Sequence, residues 1–280
     1  MTLPYTLISP VKNKALPLVF DSPHSGDIFP ADFVSKVSSQ DLKTGWDAFV
    51  GELWQGVVGH NAYLLLANIS RMYVDLNRAP NDIDPVLLDK VWDYCQPTKY
   101  SDRGMGLIRR MVLPDVPIYD TTLSQAQIQT RLEHYYYPYH NALMQTLDAL
   151  HQTHGGVWHI DCHSMKSRGN RMNIDSGLLR PDIILGDNDG TSASAEFVQV
   201  IEDAFIERGY KVVRNTPYKG GYLVTHYAEV TNNRHSMQIE VNRNLYMNEL
   251  SFTPNANFTS FQADLNWVSA KIAEYVSSQV

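Results

Sequence analysis

Short apolar runs alternate with longer amphipathic stretches along most of this 280-residue chain. Alternation of this kind is typical of βαβ units built around a mostly parallel sheet. The runs that we predict as buried strands cover residues 16–20, 62–67, 157–162, 182–185, 210–213 and 237–241. The pattern therefore predicts one α/β domain over residues 1–280, with a mostly parallel or mixed central sheet flanked by helices. It does not give the strand order.

Helical periodicity occupies the stretches between these runs. The predicted helices cover residues 44–58, 124–154, 192–208 and 258–276. In the longest of them, apolar side chains recur at helical spacing, Ser124 is a candidate N-cap and Gly155-Gly156 a candidate stop. We expect Pro138 to kink this helix or to split it in two.

Composition narrows the classes of function. The net charge of −7 argues against nucleic acid as a partner, since phosphate binding usually needs a basic patch. No apolar run approaches the roughly 20 residues of a membrane-spanning helix, and the N-terminus lacks a basic start and a long apolar stretch. Two cysteines, Cys95 and Cys162, cannot form a disulfide framework. We expect a cytoplasmic protein without a membrane partner.

Polar clusters follow several predicted strands, at the strand ends where open α/β sheets bind ligands. In the first, His24 and Asp27 stand three residues apart in one short loop. That spacing lets an imidazole and a carboxylate reach the same cation, and both are good zinc ligands. The alternative is a turn capped by Asp27.

The second cluster lies on a predicted strand. Because alternate residues of a strand share a face, His159, Asp161 and His163 point one way and Cys162 the other. Such groups are costly to bury unless they are paired or bound to metal, so the cluster predicts either a metal site or a hydrogen-bonded polar ladder. His163 is nearest the carboxyl end and is the candidate ligand. Asp161 is a candidate for orienting a ligand or a water, and His159 for a structural role.

Two further groups stand out. Arg78, with Asn77 beside it, offers a planar fork for a carboxylate, although a surface salt bridge is the commoner fate of a single arginine. Glu240 lies between Ile239 and Val241 in an apolar strand. It is either paired with a buried base such as Arg243 or a general base whose pKa is tuned by burial.

Taken together, these clusters resemble the N-formylglutamate deformylase (amidohydrolase) family of histidine degradation. Five stretches in this order carry the resemblance, and it runs from about residue 15 to the last helix: DSPHSGDIFP (21–30), RMYVDLNRAPND (71–82), HIDCHSM (159–165), NTPYKGGY (215–222) and QIEVNRNLYM (238–247). The family is more distantly similar to the zinc carboxypeptidases and to the aspartoacylase/succinylglutamate desuccinylase group, which implies a carboxypeptidase-like fold.

The resemblance implies one divalent metal ion, most simply zinc, held by His24, Asp27 and His163. Asp27 stands where the wider group has a glutamate, and this shorter ligand makes oxygen-preferring metals harder to exclude. Glu240 is implied as the base that takes a proton from water and passes it to the departing nitrogen. Arg71 is a candidate for stabilising the oxyanion.

The resemblance also implies how a small N-formyl amino acid binds. Asn77 and Arg78 are implied to hold its carboxylate. The loop with Tyr218, Lys219 and Gly220 is expected on the substrate wall, where the glycines permit a close backbone approach. Lys219 or Tyr218 is available to a second carboxylate; Arg243 is another candidate, unless it neutralises Glu240.

Other functions compete with this interpretation. The nearest is a metal-dependent deacylase with another acyl group, such as acetyl or succinyl, because pocket size cannot be read from the sequence. A metallocarboxypeptidase and a non-catalytic binding protein are the others. The chain lacks a Gly-x-Ser-x-Gly elbow, and Cys162 is expected to face away from both neighbouring histidines, which argues against a serine or cysteine hydrolase.

Overall fold

Seven strands form the central sheet. The computed structural model describes residues 3–11 and 15–280. The strands of this sheet are β1 (Tyr5–Ile8), β2 (Leu18–Ser22), β3 (Tyr63–Ala67), β6 (Val157–Met165), β7 (Ile183–Gly186), β8 (Val212–Arg214) and β9 (Arg234–Asn242). Two small ribbons pair β4 (Met111–Leu113) with β5 (Val116–Pro117) and β10 (Met247–Asn248) with β11 (Thr253–Pro254).

Helices of very different length connect these strands. They are α1 (Ser39–Leu42), α2 (Val50–Leu53), α3 (Lys99–Asp102), α4 (Gln125–Arg131), α5 (Tyr137–His154), α6 (Ala195–Glu207), α7 (Tyr222–Tyr227) and α8 (Phe258–Ser278). Short 3₁₀ turns cover Lys43–Gly45, Gln55–His60, Pro85–Leu87, Val230–Asn232 and Arg243–Leu245. Within the described ranges, no helix is long and apolar enough to cross a membrane.

The sheet is mixed, with the order β1-β3-β2-β6-β9-β7-β8. Its central strands β3, β2, β6 and β9 are parallel, whereas β1 and β7 run antiparallel to their neighbours β3 and β9. All six predicted strands are present, with boundaries shifted by a few residues. The prediction missed the edge strand β1.

Successive side chains of the central strands point to opposite faces of the sheet, so the core has two parts. On one face, side chains such as Phe20, Ile160 and Ile239 pack with α6 and α8 in a single apolar cluster. On the other, Val19 and Leu65 pack with α4 and α5. The polar residues Asp21, His159, Asp161, His163 and Glu240 occupy alternate positions of β2, β6 and β9, so they lie on this second face.

Two predicted helices differ from the structure. The expected helix over residues 44–58 is broken into a 3₁₀ turn, an irregular stretch at residues 46–49, α2 and another 3₁₀ turn. The expected helix over 124–154 begins at a Ser124 cap and ends at a left-handed Gly155, as predicted. It is divided by a π-helical turn at Leu132–Tyr136, and Pro138 falls in the first turn of α5, where its missing N–H costs little.

Candidate active site

The loop after β2 and the break before α2 are clamped together. The backbone N–H of Asp47 donates to the His24 carbonyl (3.0 Å), and Trp46 Nε1 donates to the Ser25 carbonyl (2.7 Å). Ser25 Oγ in turn donates to the Ala67 carbonyl at the end of β3 (3.1 Å). These bonds place the side chains of His24 and Asp47 side by side at the carboxyl end of the sheet.

Strands β6 and β9 supply the rest of the site. His163 of β6 is in register with Glu240 of β9, and partners in register on parallel strands present their side chains to the same face. Both side chains are almost fully buried. The order β2-β6-β9 therefore sets the His24 loop, His163 and Glu240 next to one another.

Three side chains converge on one point. The Nδ1 atoms of His24 and His163 are 3.0 Å apart, and Asp47 Oδ2 lies 3.2 Å from His163 Nδ1 and 3.7 Å from His24 Nδ1. All three side chains are buried. Two imidazoles and one carboxylate form a donor set of the kind that holds a catalytic divalent metal.

The opposite edge of each imidazole contacts a carboxylate. His24 Nε2 lies 2.7 Å from Asp75 Oδ1, an oxygen that can only accept, so Nε2 carries the hydrogen and Nδ1 offers a lone pair. His163 Nε2 lies 2.7 Å from Asp161 Oδ1 and 3.0 Å from Asn77 Nδ2, so it has an acceptor and a donor as neighbours. Carboxylates behind the histidines commonly fix their orientation at metal sites. A proton on His163 Nδ1 or a metal cation between the three side chains offsets the repulsion of their lone pairs.

The charges around this group are strongly shifted. Burial opposes ionisation of Asp47, but hydrogen bonds to the two histidines and the charges of His24 and Arg243 hold its pKa well below its usual range. Burial, together with the charge of Arg71, lowers the pKa of His24. In His163 burial acts the same way but is outweighed by Asp161 and Asp47, so its pKa is raised. The carboxylates thus favour a positive charge at His163, and a metal cation held by the three side chains would supply that charge in place of the proton.

Asp27, the third ligand expected from the sequence, is not part of this group. Its side chain is exposed. After His24 the chain pairs with the segment following β3, where Ile28 N–H donates to the Asn68 carbonyl (3.2 Å) and Ser70 N–H donates to the Ile28 carbonyl (2.9 Å). This pairing directs Asp27 away from the histidines. The carboxylate beside His24 and His163 is that of Asp47, not the expected Asp27.

Glu240 is buried, and no cationic side chain in the described part of the chain forms an ion pair with it. Its Oε1 accepts a hydrogen bond from Gln238 Nε2 (2.8 Å). Burial raises the pKa of Glu240 to about 7, against the attraction of His163. Arg243, the alternative partner considered from the sequence, donates instead to Asp47 Oδ1 (2.9 Å) and Ser164 Oγ (3.0 Å). The geometry thus leaves Glu240 available as a base.

Asn77 and Arg71 are committed largely to contacts within the protein. Asn77 Nδ2 donates to Asp161 Oδ2 (2.9 Å), and its Oδ1 accepts from the N–H of Leu223 (2.9 Å). Arg71 donates to Asp75 Oδ2 from Nε (3.1 Å) and from Nη2 (2.6 Å). Asn77 thus holds Asp161 in place, and Arg71 lies beside Asp75, the carboxylate that contacts His24.

The guanidinium of Arg78 is held by two backbone carbonyls and a tyrosine ring. Its Nε donates to the Met105 carbonyl (2.9 Å) and its Nη1 to the carbonyl of Asn77 (2.7 Å). The guanidinium stacks over Tyr100, with 4.1 Å between Cζ and the ring centroid. The surface-salt-bridge alternative does not describe this residue.

The three residues of the loop expected on the substrate wall differ in their surroundings. Tyr218 packs against Arg180 (5.1 Å), and burial with the charge of Glu240 raises the pKa of its hydroxyl, which places Tyr218 near the base. Lys219 is exposed and forms an ion pair with Asp189. Gly220 has a φ of 119°, a conformation that side-chain-bearing residues rarely adopt.

The two remaining residues of the second cluster lie apart from the three converging side chains. His159 is bonded to Asp21 Oδ1 (2.8 Å) and Ser236 Oγ (2.7 Å), deeper along β6. Cys162 lies in the apolar core on the opposite face, where burial and nearby aspartates raise its pKa well above the ordinary value. A nucleophilic role for Cys162 does not fit this environment.

Sequence reasoning missed Asp47, Asp75 and Arg109. Asp47 was hidden by the predicted helix over 44–58, although an aspartate between Trp46 and Ala48 in an apolar stretch is a signal of a buried carboxylate. Asp75 carries the same signal between Val74 and Leu76. Arg109 is buried beside Asp75, with 3.6 Å between its Nε and Asp75 Oδ2, and nothing in its sequence context distinguishes it from Arg110.

Known proteins are similar to this chain in sequence and in fold. The sequence matches the family model for N-formylglutamate amidohydrolase over residues 16–247. It is 27% identical to an N-formylglutamate deformylase of Pseudomonas putida over 84% of this chain and 83% of the relative, and 28% identical to one of Pseudomonas aeruginosa over 85% of each. The crystal structure of N-formylglutamate amidohydrolase from Ralstonia eutropha JMP134 superimposes with a TM-score of 0.96 at 40% identity, covering 100% of both chains. The chain therefore belongs to the N-formylglutamate amidohydrolase family.

Proposed function

We propose that this chain hydrolyses the formyl amide of N-formyl-L-glutamate to formate and L-glutamate, with a divalent metal held by His24, Asp47 and His163. The observation that carries the proposal is the convergence of three buried lone-pair donors beside a buried glutamate. The family of the chain and the names of its relatives supply the substrate. Two imidazoles and one carboxylate are a ligand set that catalytic zinc sites use.

When bound, such a metal lowers the pKa of a water molecule and polarises a carbonyl oxygen. Glu240 accepts the proton of the attacking water as the new carbon–oxygen bond forms. It then passes the proton to the amide nitrogen as the carbon–nitrogen bond breaks, so that formate and free glutamate leave. A carboxylate whose pKa is near neutrality is suited to both transfers.

Arginines beside the group supply the remaining interactions. Arg71, held by Asp75 next to His24, is placed to donate to the oxyanion that develops on the formyl oxygen. Arg78, fixed by two carbonyls and by Tyr100, binds the α-carboxylate through the part of its fork that these contacts leave free. Asn77 serves by holding Asp161 behind His163.

A hydrolysis panel tests the proposal. N-formyl, N-acetyl and N-succinyl derivatives of glutamate are assayed for release of the free amine, with and without added zinc, cobalt or manganese. The expected result is metal-dependent hydrolysis with formylglutamate preferred. Preference for the acetyl or succinyl compound would redefine the acyl specificity, and hydrolysis that survives complete metal removal would refute the metal site.

A further inference from the structure

Arg109 is buried yet donates no hydrogen bond within residues 3–11 and 15–280. Its side chain is 10% exposed, and its Nε has no hydrogen-bond partner. The nearest acceptor, Asp75 Oδ2, is 3.6 Å away and already receives Nε and Nη2 of Arg71. A buried guanidinium without hydrogen bonds is costly, and this cost calls for an anion that binds there.

The contrast with the other buried arginines is clear. Arg131 donates to the Tyr73 carbonyl (2.8 Å) and stacks on the Tyr73 ring. Arg243 donates to Asp47 and Ser164. The neighbour of Arg109 in the chain, Arg110, donates to Asp84 Oδ2 at 2.6 Å. Nε of Arg131 is also without a partner, but each of these three arginines donates at least one hydrogen bond and Arg109 donates none among the described residues.

Backbone bonds hold Arg109 against the active site. The Asp75 N–H donates to the Leu107 carbonyl (2.8 Å), and the Leu107 N–H donates to the Asp82 carbonyl (2.7 Å). These bonds tie the segment before Arg109 to the loop that carries Asp75 and Arg78. Burial and the charges of Arg71 and Arg78 lower the pKa of Arg109 to about 9, against the attraction of Asp75 and Asp47. Arg71 and Arg109 thus share the carboxylate of Asp75, and the charge of Arg78 acts on the same group.

Another partly buried cation, Lys166, lies nearby. Lys166 follows β6 directly and is half-buried, and its ammonium group forms no ion pair with the residues that the structure describes. Burial and the charges of Arg243, Arg109 and Arg180 lower its pKa to about 8, against Glu249. Lys219 and Arg243, the candidates that the sequence offered for a second carboxylate, are already paired with Asp189 and Asp47.

We infer that Arg109, with Lys166, binds the side-chain carboxylate of the substrate and so makes the site selective for an acidic amino acid. This inference rests on the proposed function. An amide at the same place offers no negative charge, so the selectivity is for glutamate over glutamine derivatives. An arginine fork that is already desolvated recognises a carboxylate at less cost than an exposed one.

The test compares kcat/KM for N-formylglutamate and N-formylglutamine in the metal-loaded protein. Arg109→Gln is expected to reduce the preference for the glutamate compound by about tenfold or more, mainly through KM, and to change formylglutamine hydrolysis little. Arg110→Gln is the matched control and keeps the wild-type preference. An equal loss on both substrates, or an unchanged preference, overturns the inference.

Two further variants test the inference if Arg109→Gln does not fold. Arg109→Lys keeps a charge but loses the fork, and Lys166→Met keeps the apolar stem, so each is expected to lower the preference partially. If both retain the full preference, the inference is wrong. Calorimetry of L-glutamate and L-glutamine binding needs no turnover. If the wild type binds L-glutamate more tightly than L-glutamine and Arg109→Gln does not, the result supports the subsite. Failure of the wild type to hydrolyse formylglutamate would then contradict the proposed reaction but not this subsite.

Discussion

At the scale of single residues, the three converging side chains differ from Glu240 in their contacts. His24, Asp47 and His163 converge through Nδ1 and Oδ2, whereas the Glu240 side chain is bonded to Gln238 and to no other described residue. Arg243 neutralises Asp47 rather than Glu240. The sequence singled out both histidines and the glutamate as candidates, because each follows or interrupts an apolar strand. It could not distinguish Asp27 from Asp47, since that choice depends on where the loop after His24 turns.

Replacing Glu240 by glutamine tests its role as the base. The substitution keeps the shape and a hydrogen bond with Gln238 but cannot accept a proton, so kcat should fall by about 10²–10⁴-fold. Metal content and the unfolding midpoint should stay near those of the wild type, because Glu240 is not the partner of Arg243. Steady-state kinetics and elemental analysis check this. Turnover near the wild-type rate would move the base elsewhere, with Asp161 the next candidate.

At the scale of elements, two histidines on one face of β6 have different partners. His159 is bonded to Asp21 and Ser236, and His163, four residues later, reaches the metal-binding group. The alternation predicted this shared face and the opposite direction of Cys162. The position of His163 nearest the carboxyl end of the strand made it the candidate ligand, and it is the histidine of β6 that lies beside His24 and Asp47. The sequence could not predict the partners of His163, since the His24 loop and Asp47 come from other elements. The predicted helix over 44–58 failed because its apolar periodicity continues across the break that holds Asp47.

Alanine substitutions of the two histidines should therefore differ in kind. His163→Ala removes a donor, so the protein should lose its metal and its activity. His159→Ala should keep the metal but lower the free energy of unfolding by about 1–3 kcal/mol, because Asp21 and Ser236 lose a buried partner. Elemental analysis and denaturant unfolding distinguish the two outcomes. Metal loss in His159→Ala would contradict the assignment.

The N-terminus of α7 docks onto Asn77 through a glycine. A Cβ on Gly221 would lie 2.3 Å from Asn77 Oδ1, the atom that accepts from the Leu223 N–H. Gly221→Ala should displace Asn77 from Asp161, destabilise the protein by about 1–3 kcal/mol and reduce activity. Gly59→Ala is the matched control, since a Cβ there meets nothing within 4 Å. Equal unfolding midpoints for the two variants would show that the contact is unimportant.

At the scale of the whole molecule, the sheet order assembles a site from distant parts of the sequence. His24, Asp47, His163 and Glu240 span more than two hundred residues and meet because β2, β6 and β9 are neighbours. The α/β class and six strands of the sheet followed from local apolar patterns. The strand order did not, because it is decided by the packing of long-range elements rather than by any single segment.

Metal binding should also stabilise the folded chain as a whole. A ligand that binds the native state at about a thousand times its Kd contributes about 4 kcal/mol to the free energy of unfolding. Treatment with a chelator should therefore lower the denaturant midpoint, and added zinc should restore it. His24→Ala, which lacks a donor, is the control and should respond to neither treatment. A wild-type midpoint indifferent to chelator and zinc would argue against a metal held by this group.

The most direct test of the site compares the metal content of Asp47→Asn and Asp27→Asn, purified alike and measured by elemental analysis. Asp47 lies 3.2 Å from His163 Nδ1, whereas Asp27 is exposed outside the group. The account predicts that Asp27→Asn retains one equivalent of metal and its activity, while Asp47→Asn loses both and remains folded by circular dichroism. Full metal content in Asp47→Asn together with loss of metal in Asp27→Asn would contradict it.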